Sequence, residues 1–199
     1  WRTRSVKNIL DEVQECVERF GITDFLFSAD LFTLHKDHVI ELCQGIVQRG
    51  LRVSWMCNSR VDCIDEERLL WMKKAGCYLV SLGLESGEQA ILDAVHKGTT
   101  LEKIRSAVGV FRKYDVQTLG YFIFGLPGET VRTMRRTIAF SLKLPLSFVA
   151  FLNAVPYPGT EFSAYLRSAG IPLSEEWSRY EETGCDTHIL PTVSPRQVR

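Results

Sequence analysis

Residues 119–130 read Leu-Gly-Tyr-Phe-Ile-Phe-Gly-Leu-Pro-Gly-Glu-Thr, an apolar run that ends in a turn, an acid and a helix cap. A continuous apolar run bounded by turn residues is what a strand buried on both faces looks like, as in a parallel sheet. Gly125 and Gly128 carry no Cβ, so the backbone can come close to a flat ligand. The turn opens a helix, and its free N–H groups face whatever lies at the strand's carboxyl end. On its own, Gly-x-x-Gly after a strand is an ordinary tight βα turn. Its company gives it weight.

The same unit repeats along the chain. Ser5 caps a helix in which Val6, Ile9, Leu10, Val13, Val17 and Phe20 recur at helical spacing, with Gly21 at its end. Strand Phe25–Phe27 leads to Asp30, and a helix carrying Val39, Leu42, Cys43, Ile46 and Val47 stops at Gly50. The next strand is expected over Leu51–Cys57. Asp65 caps the following helix, with Ile64 and Leu69 placed as a hydrophobic staple and Ala75-Gly76 closing it. Strand Tyr78–Leu84 comes next, then a short helical piece. Thr99 with Glu102 is expected to form a capping box for the helix bearing Ile104, Val108 and Phe111. Strand Val116–Phe124, a helix over 131–143 and strand Phe148–Asn153 complete the series, and a short helix over 161–169 follows. Strands alternating with helices predict right-handed crossovers and a parallel α/β sheet or barrel. Because the series starts on a helix, a barrel of this kind is expected to lack its first strand.

Composition excludes several classes. Lys+Arg and Asp+Glu balance at 24 each in 199 residues, so nothing points to nucleic acid or an anionic membrane as an obligate partner. No apolar run approaches the roughly 18 residues of a membrane span. The six cysteines (Cys16, Cys43, Cys57, Cys63, Cys77, Cys185) show no Cys-x-x-Cys spacing and are read as reduced thiols of a cytoplasmic protein. The chain opens on Trp1 without a Met, which reads as a fragment.

In parallel α/β folds ligands bind beyond the carboxyl ends of the strands. Those ends hold Asp30; then Asn58 and Arg60; then Glu85 and Ser86; then Gly125 to Glu129; then Asn153 and Pro156-Tyr157-Pro158-Gly159. These acids, amide, cation and glycines suit a ligand with an ammonium, a carboxylate, vicinal hydroxyls and a flat ring. Lys97, on the loop after the short helix, is placed to reach an anion. The ordinary readings are surface pairing for Asp30 and Glu85, a clamp of Arg60 on Asp62 or Asp65, and a solvated Lys97. His35-x-x-His38 and Cys185-x-x-His188 each resemble half of a metal site and are read as structural. Trp55, Trp71 and Met72 sit at core spacing.

Taken in order, Arg2-x-Arg4-Ser5, Asp30-x-Phe32, Arg60-Val-Asp62, Met72-Lys-Lys-Ala-Gly-Cys77, Gly83-Leu-Glu85-Ser86-Gly87, His96-Lys97-Gly98, Gly120-x-Phe-x-x-Gly125-Leu-Pro-Gly-Glu-Thr130 and Pro156-Tyr-Pro-Gly-Thr160 resemble the radical S-adenosylmethionine (radical SAM) enzymes. They are most similar to the cobalamin-associated branch, with its anaerobic cyclases and methylases. The resemblance runs from about Arg2 to Tyr165. It implies a partial (β/α)6 TIM-like barrel of parallel strands over 1–165; beyond it the tail over 166–199, with Pro172, Pro191 and Pro195, is read as a loosely packed C-terminal extension. It also implies a [4Fe–4S] cluster that binds S-adenosylmethionine, cleavage to a 5′-deoxyadenosyl radical or support of methyl transfer, and an electron donor such as flavodoxin or ferredoxin. Cobalamin is a further cofactor of that branch, and its use here stays open.

Carried over position by position, the resemblance matches Asp30 to the methionine ammonium and Asn58 to a polar strand-end position. Arg60 joins these cofactor-binding candidates. Glu85 and Ser86 match the ribose contacts, Lys97 the methionine carboxylate, and Gly125 with Leu126 the turn against adenine. The family's Cys-x-x-x-Cys-x-x-Cys cluster loop is absent from this sequence. Three thiolates are needed to hold such a cluster while one iron stays open. The chain is therefore expected to lack the cluster ligands, which would lie outside it, and to be inactive by itself. The alternative is a non-catalytic βα scaffold that keeps a ligand pocket or an interaction surface. Substrate contacts are not legible, because fold alone does not fix them.

Overall fold

In the computed structural model of the protein, residues 3–174, Glu176 and Tyr180 are described. Most of the expected C-terminal extension, with Cys185 and His188, lies outside the described residues, as does Arg2. The elements follow in the order α1 (Val6–Phe20), β1 (Asp24–Phe27), α2 (Lys36–Gln48), β2 (Ser54–Ser59), a 3-10 turn (Val61–Cys63), α3 (Glu66–Lys74), β3 (Cys77–Glu85), α4 (Gln89–Ala94), α5 (Leu101–Lys113), β4 (Gln117–Phe124), α6 (Val131–Ser141), β5 (Phe148–Asn153) and α7 (Glu161–Ser168).

Five parallel strands form one sheet in the order β1-β2-β3-β4-β5. Spatial order equals sequence order, so each crossover adds its strand on the same side. A doubly wound sheet reverses at a switch point; singly wound progression is the habit of barrels.

Local chemistry explains most of the helix ends. The Ser5 hydroxyl accepts from the Asn8 N–H at 3.2 Å, and Gly21 closes α1 in the left-handed region at φ 66°. The Asp65 carboxylate accepts from the Arg68 N–H at 2.9 Å to start α3. Thr130 and Thr133 cap each other at the start of α6. The helix α5 departs from expectation. The Thr99 hydroxyl is buried with no hydrogen-bond partner, so it does not form the capping box with Glu102. The Gln89 side chain does the work instead, accepting from the Leu101 N–H at 3.1 Å and donating to the Thr99 carbonyl at 3.1 Å. The strand expected over Leu51–Cys57 also shifts. It begins at Ser54 because its neighbour begins at Asp24, and the Ser54 hydroxyl donates to the Asp24 carboxylate at 2.5 Å.

The described residues fall into two compact units. The first runs to Gly83 and includes Glu102–Gly120 and Leu144–Phe148; the second comprises Leu84–Leu101, Tyr121–Lys143 and the chain from Val149. In the first, α2 turns Val39, Leu42, Cys43 and Ile46 into the core, all within 1% of full burial. The valine, leucine and isoleucine side chains among them each contribute roughly 1.5–3 kcal/mol of transfer free energy. Val47, on the other side of the helix, is exposed. Trp55 and Met72 are fully buried, while Trp71 is half-buried under the Lys74 ammonium. The Trp55 indole N–H donates to the Ala75 carbonyl at 2.7 Å, which satisfies its polar edge.

In the second unit Phe124, Met134 and Leu166 form one apolar cluster and Ile91, Leu126 and Ala154 another, with Phe162 touching both. Gly87 lets the loop after β3 press onto α6: a Cβ there would lie 2.6 Å from the Phe140 Cβ and 2.8 Å from the Thr137 Cα. No helix among the described residues is long and apolar enough to cross a membrane.

Candidate functional site

The second unit gathers polar chemistry at the carboxyl ends of β3 and β4. β3 ends on Glu85, which holds φ at 62°, and the loop after α4 holds His96 at 51°. Left-handed backbone at a residue with a side chain costs free energy that the surroundings must supply. Between these two positions the Lys97 ammonium donates to the Glu85 carboxylate at 2.5 Å, with both side chains about five-sixths buried. Glu85 and Lys97, matched separately to ribose and to a carboxylate, therefore stand as one ion pair. Such a pair restrains the Glu85 carboxylate.

Ser86 is fully buried. Its hydroxyl lies 3.2 Å from the Thr137 hydroxyl and accepts from the Glu88 N–H at 3.2 Å. The Thr137 hydroxyl in turn accepts from the Gly87 N–H at 3.0 Å. Ser86 here stitches the strand end to α6.

The turn after β4 is organised by a residue outside the site set read from sequence. Glu129 is fully buried, and its Oε2 accepts from the Gly125 N–H at 2.6 Å and from the Leu126 N–H at 3.2 Å. Burial pushes this carboxyl up to about 7, against the pull of the two N–H donors. The signal was an acid two residues beyond Pro127 in a turn that was otherwise apolar. Gly125 sits at φ 88°, which only a residue without Cβ adopts freely.

A cavity of about 660 Å³ opens beside this turn, lined by Ile123, Leu126, Pro127, Ala154, Val155 and Tyr157, with His96, Asn153 and Glu161 among its polar walls. This volume is in the range of small-molecule sites, and mostly apolar walls with a few polar groups are their usual make-up.

The first unit spends its charges differently. Asp30 is exposed, on a turn whose Ala29 and Leu31 line a cavity of about 410 Å³. Asn58 is half-buried on β2, and its carbonyl accepts from the Phe32 N–H at 3.2 Å. Arg60 is bidentate on Asp62, at 3.0 and 2.9 Å, and holds that carboxyl below its ordinary range. The Arg68 guanidinium bonds Asp65 at 2.8 Å and the Thr33 carbonyl at 2.7 Å. Glu85, Lys97, Gly125 and Leu126 thus share the second unit, whereas Asp30, Asn58 and Arg60 belong to the first. Among the described residues no group of three or more His, Cys, Asp or Glu could hold a metal ion, and His35 and His38 gain no third partner. The cluster's ligand set is therefore absent from the described residues.

The family model of the radical SAM superfamily matches residues 1–141, and the chain belongs to that superfamily. Its members bind S-adenosylmethionine and a [4Fe–4S] cluster. The chain is 36% identical over 180 residues to an uncharacterized methyltransferase of Pyrococcus horikoshii, covering 90% of this chain and 39% of that protein. It is 31% identical to the anaerobic magnesium-protoporphyrin IX monomethyl ester cyclase of Cereibacter sphaeroides, over 84% of this chain and 28% of the cyclase. In fold it is similar to the radical S-adenosylmethionine methyltransferase TsrM of Kitasatospora setae, with a TM-score of 0.74 and 24% identity over 86% of this chain and 35% of the other. TsrM has also been solved with cobalamin and a [4Fe–4S] cluster bound. The chain thus spans well under half the length of each of these three proteins.

Proposed function

We propose that this chain is the S-adenosylmethionine-binding part of a radical SAM enzyme, and that its second unit holds the adenosyl group. The cavity beside the Gly125–Gly128 turn carries the reading. Its apolar wall at Leu126, Pro127 and Ala154 suits one face of an adenine ring. Glu85, steadied by Lys97, accepts from the ribose hydroxyls, a role its charge strengthens. With a reduced iron–sulfur cluster beside it, bound S-adenosylmethionine would take up one electron and release methionine with a 5′-deoxyadenosyl radical, or would serve as a methyl donor. The chain's own contribution is to bind and orient the nucleoside and to exclude water from it.

The described residues offer no set of thiolates for the cluster, and we assign its ligands to protein outside this sequence. Methyl transfer or ring closure on a small substrate, a flavodoxin or ferredoxin as reductant, and cobalamin as a further cofactor follow the relatives and remain parts of the proposal. The described cysteines are free, which suits a reducing cytoplasm.

Titration calorimetry of the chain with adenosine and with S-adenosylmethionine tests the reading. Both are expected to bind, and Glu85→Asn, whose side chain tolerates the left-handed backbone, is expected to weaken them by roughly 1–3 kcal/mol. Absence of adenosine binding at millimolar concentration would favour the non-catalytic scaffold.

A further inference from the structure

A glycine-rich turn between a parallel strand and a helix can offer its N–H groups to an anion such as a phosphate. Here the donors of Gly125, Leu126, Glu129, Thr130 and Thr133 are already engaged within the turn and the helix cap. The Gly125 and Leu126 N–H groups both go to the Glu129 carboxylate, and Pro127 has none. The Glu129 N–H returns to the Leu126 carbonyl at 3.1 Å. At the helix entrance the Thr130 N–H goes to the Thr133 hydroxyl at 2.9 Å and the Thr133 N–H to the Thr130 hydroxyl at 3.2 Å. The carboxylate that fills the turn is fully buried, and the side chains that the turn then shows to the cavity are Leu126 and Pro127.

We propose that the Glu129 carboxyl is a built-in occupant: it fills the cradle that the Gly125–Gly128 turn would otherwise present to a phosphate, and so sets the adjoining wall for an uncharged ring. Glu129 acts through the turn and is a positioning residue. This rests on the reading that the cavity takes a nucleoside, and it adds the selectivity: adenosine is accepted, and an adenine nucleotide gains nothing from its phosphates at this turn.

The test uses the intact chain with Glu129→Ala, which empties the cradle, and Glu129→Gln, which keeps an acceptor without the charge. Amide hydrogen exchange at Gly125 and Leu126 is expected to rise about tenfold in Glu129→Ala and less in Glu129→Gln. Added acetate should restore protection in Glu129→Ala, since a small carboxylate can refill the space. Phosphorus NMR should show inorganic phosphate binding to Glu129→Ala and not to the parent chain. Unchanged exchange at both amides, or phosphate bound equally by parent and variant, would overturn the inference. Exchange and phosphate binding do not require adenosine, so a parent chain that fails to bind adenosine would refute the proposed function and leave this inference to its own readouts. Should Glu129→Ala fail to fold, phosphate excluded from the parent and exchange raised only at these two amides in Glu129→Gln would sustain it; unchanged exchange in that variant would overturn it.

Discussion

Asp65 and Glu129 are two carboxylates that do similar work and titrate in opposite directions. Each accepts backbone N–H groups where a strand-to-helix connection meets its helix: Asp65 from Arg68 at the start of α3, Glu129 from Gly125 and Leu126 just before α6. Partial burial pushes Asp65 up, but the Arg68 N–H, the Arg68 guanidinium and the Lys36 ammonium outweigh it and hold the carboxyl below its ordinary range. At Glu129 burial dominates two good hydrogen bonds. Hydrogen bonds alone therefore do not decide whether a carboxylate stays charged in this protein. Solvent access and a nearby cation do.

The largest effect that probes this contrast is Glu129→Ala. It leaves two buried N–H groups without their acceptor and is expected to lower stability by about 2–4 kcal/mol in urea unfolding. A loss below about 1 kcal/mol would mean that water replaces the carboxylate and the turn does not depend on it.

The pH dependence comes next. A carboxyl raised from 4.5 to about 7 on folding makes the native state bind more protons than the unfolded chain between those values. Its stabilising contribution is complete below about pH 4.5 and is lost as pH rises through about 7. Unfolding free energy is expected to fall by about 1–3 kcal/mol from pH 5 to pH 8, and Glu129→Gln should flatten that decline. Equal slopes in parent and variant would remove Glu129 from the account.

Asp65 should behave with the opposite sign. Its folded pKa lies below its ordinary 3.8, so its contribution is full above that value and is lost as pH falls from there through the lower folded pKa. Asp65→Ala is expected to cost about 1 kcal/mol at pH 7 and less at pH 3, by the same denaturation assay. The smallest effect belongs to Arg60→Ala: its pair with Asp62 is one-third exposed, and a loss of about 0–1 kcal/mol is expected. A much greater loss would show that Arg60 does more than clamp its neighbour.

The sequence was most legible where the controlling interaction is local. Ser5 with Asn8, Asp65 with Arg68, and Thr130 with Thr133 are bonds across three residues, and residue type at that spacing almost dictates them. The β/α alternation and the apolar run into Gly125 likewise announced parallel strands. Three features were not legible. Gln89 caps α5 from twelve residues away, in place of Thr99 and Glu102. Lys97 closes on Glu85, although charge type alone permitted a ligand for either. Glu129 was visible only as one more acid on a rim.

What the sequence determined by itself is therefore the alternation of strands and helices, their local caps and the kinds of side chain at the strand ends. Tertiary structure decided which of those side chains meet and which are stripped of water. The physical reason is range. Capping and periodicity act within a turn or two of the chain, whereas desolvation sums over every atom packed around a group, and those atoms come from segments the sequence places far apart.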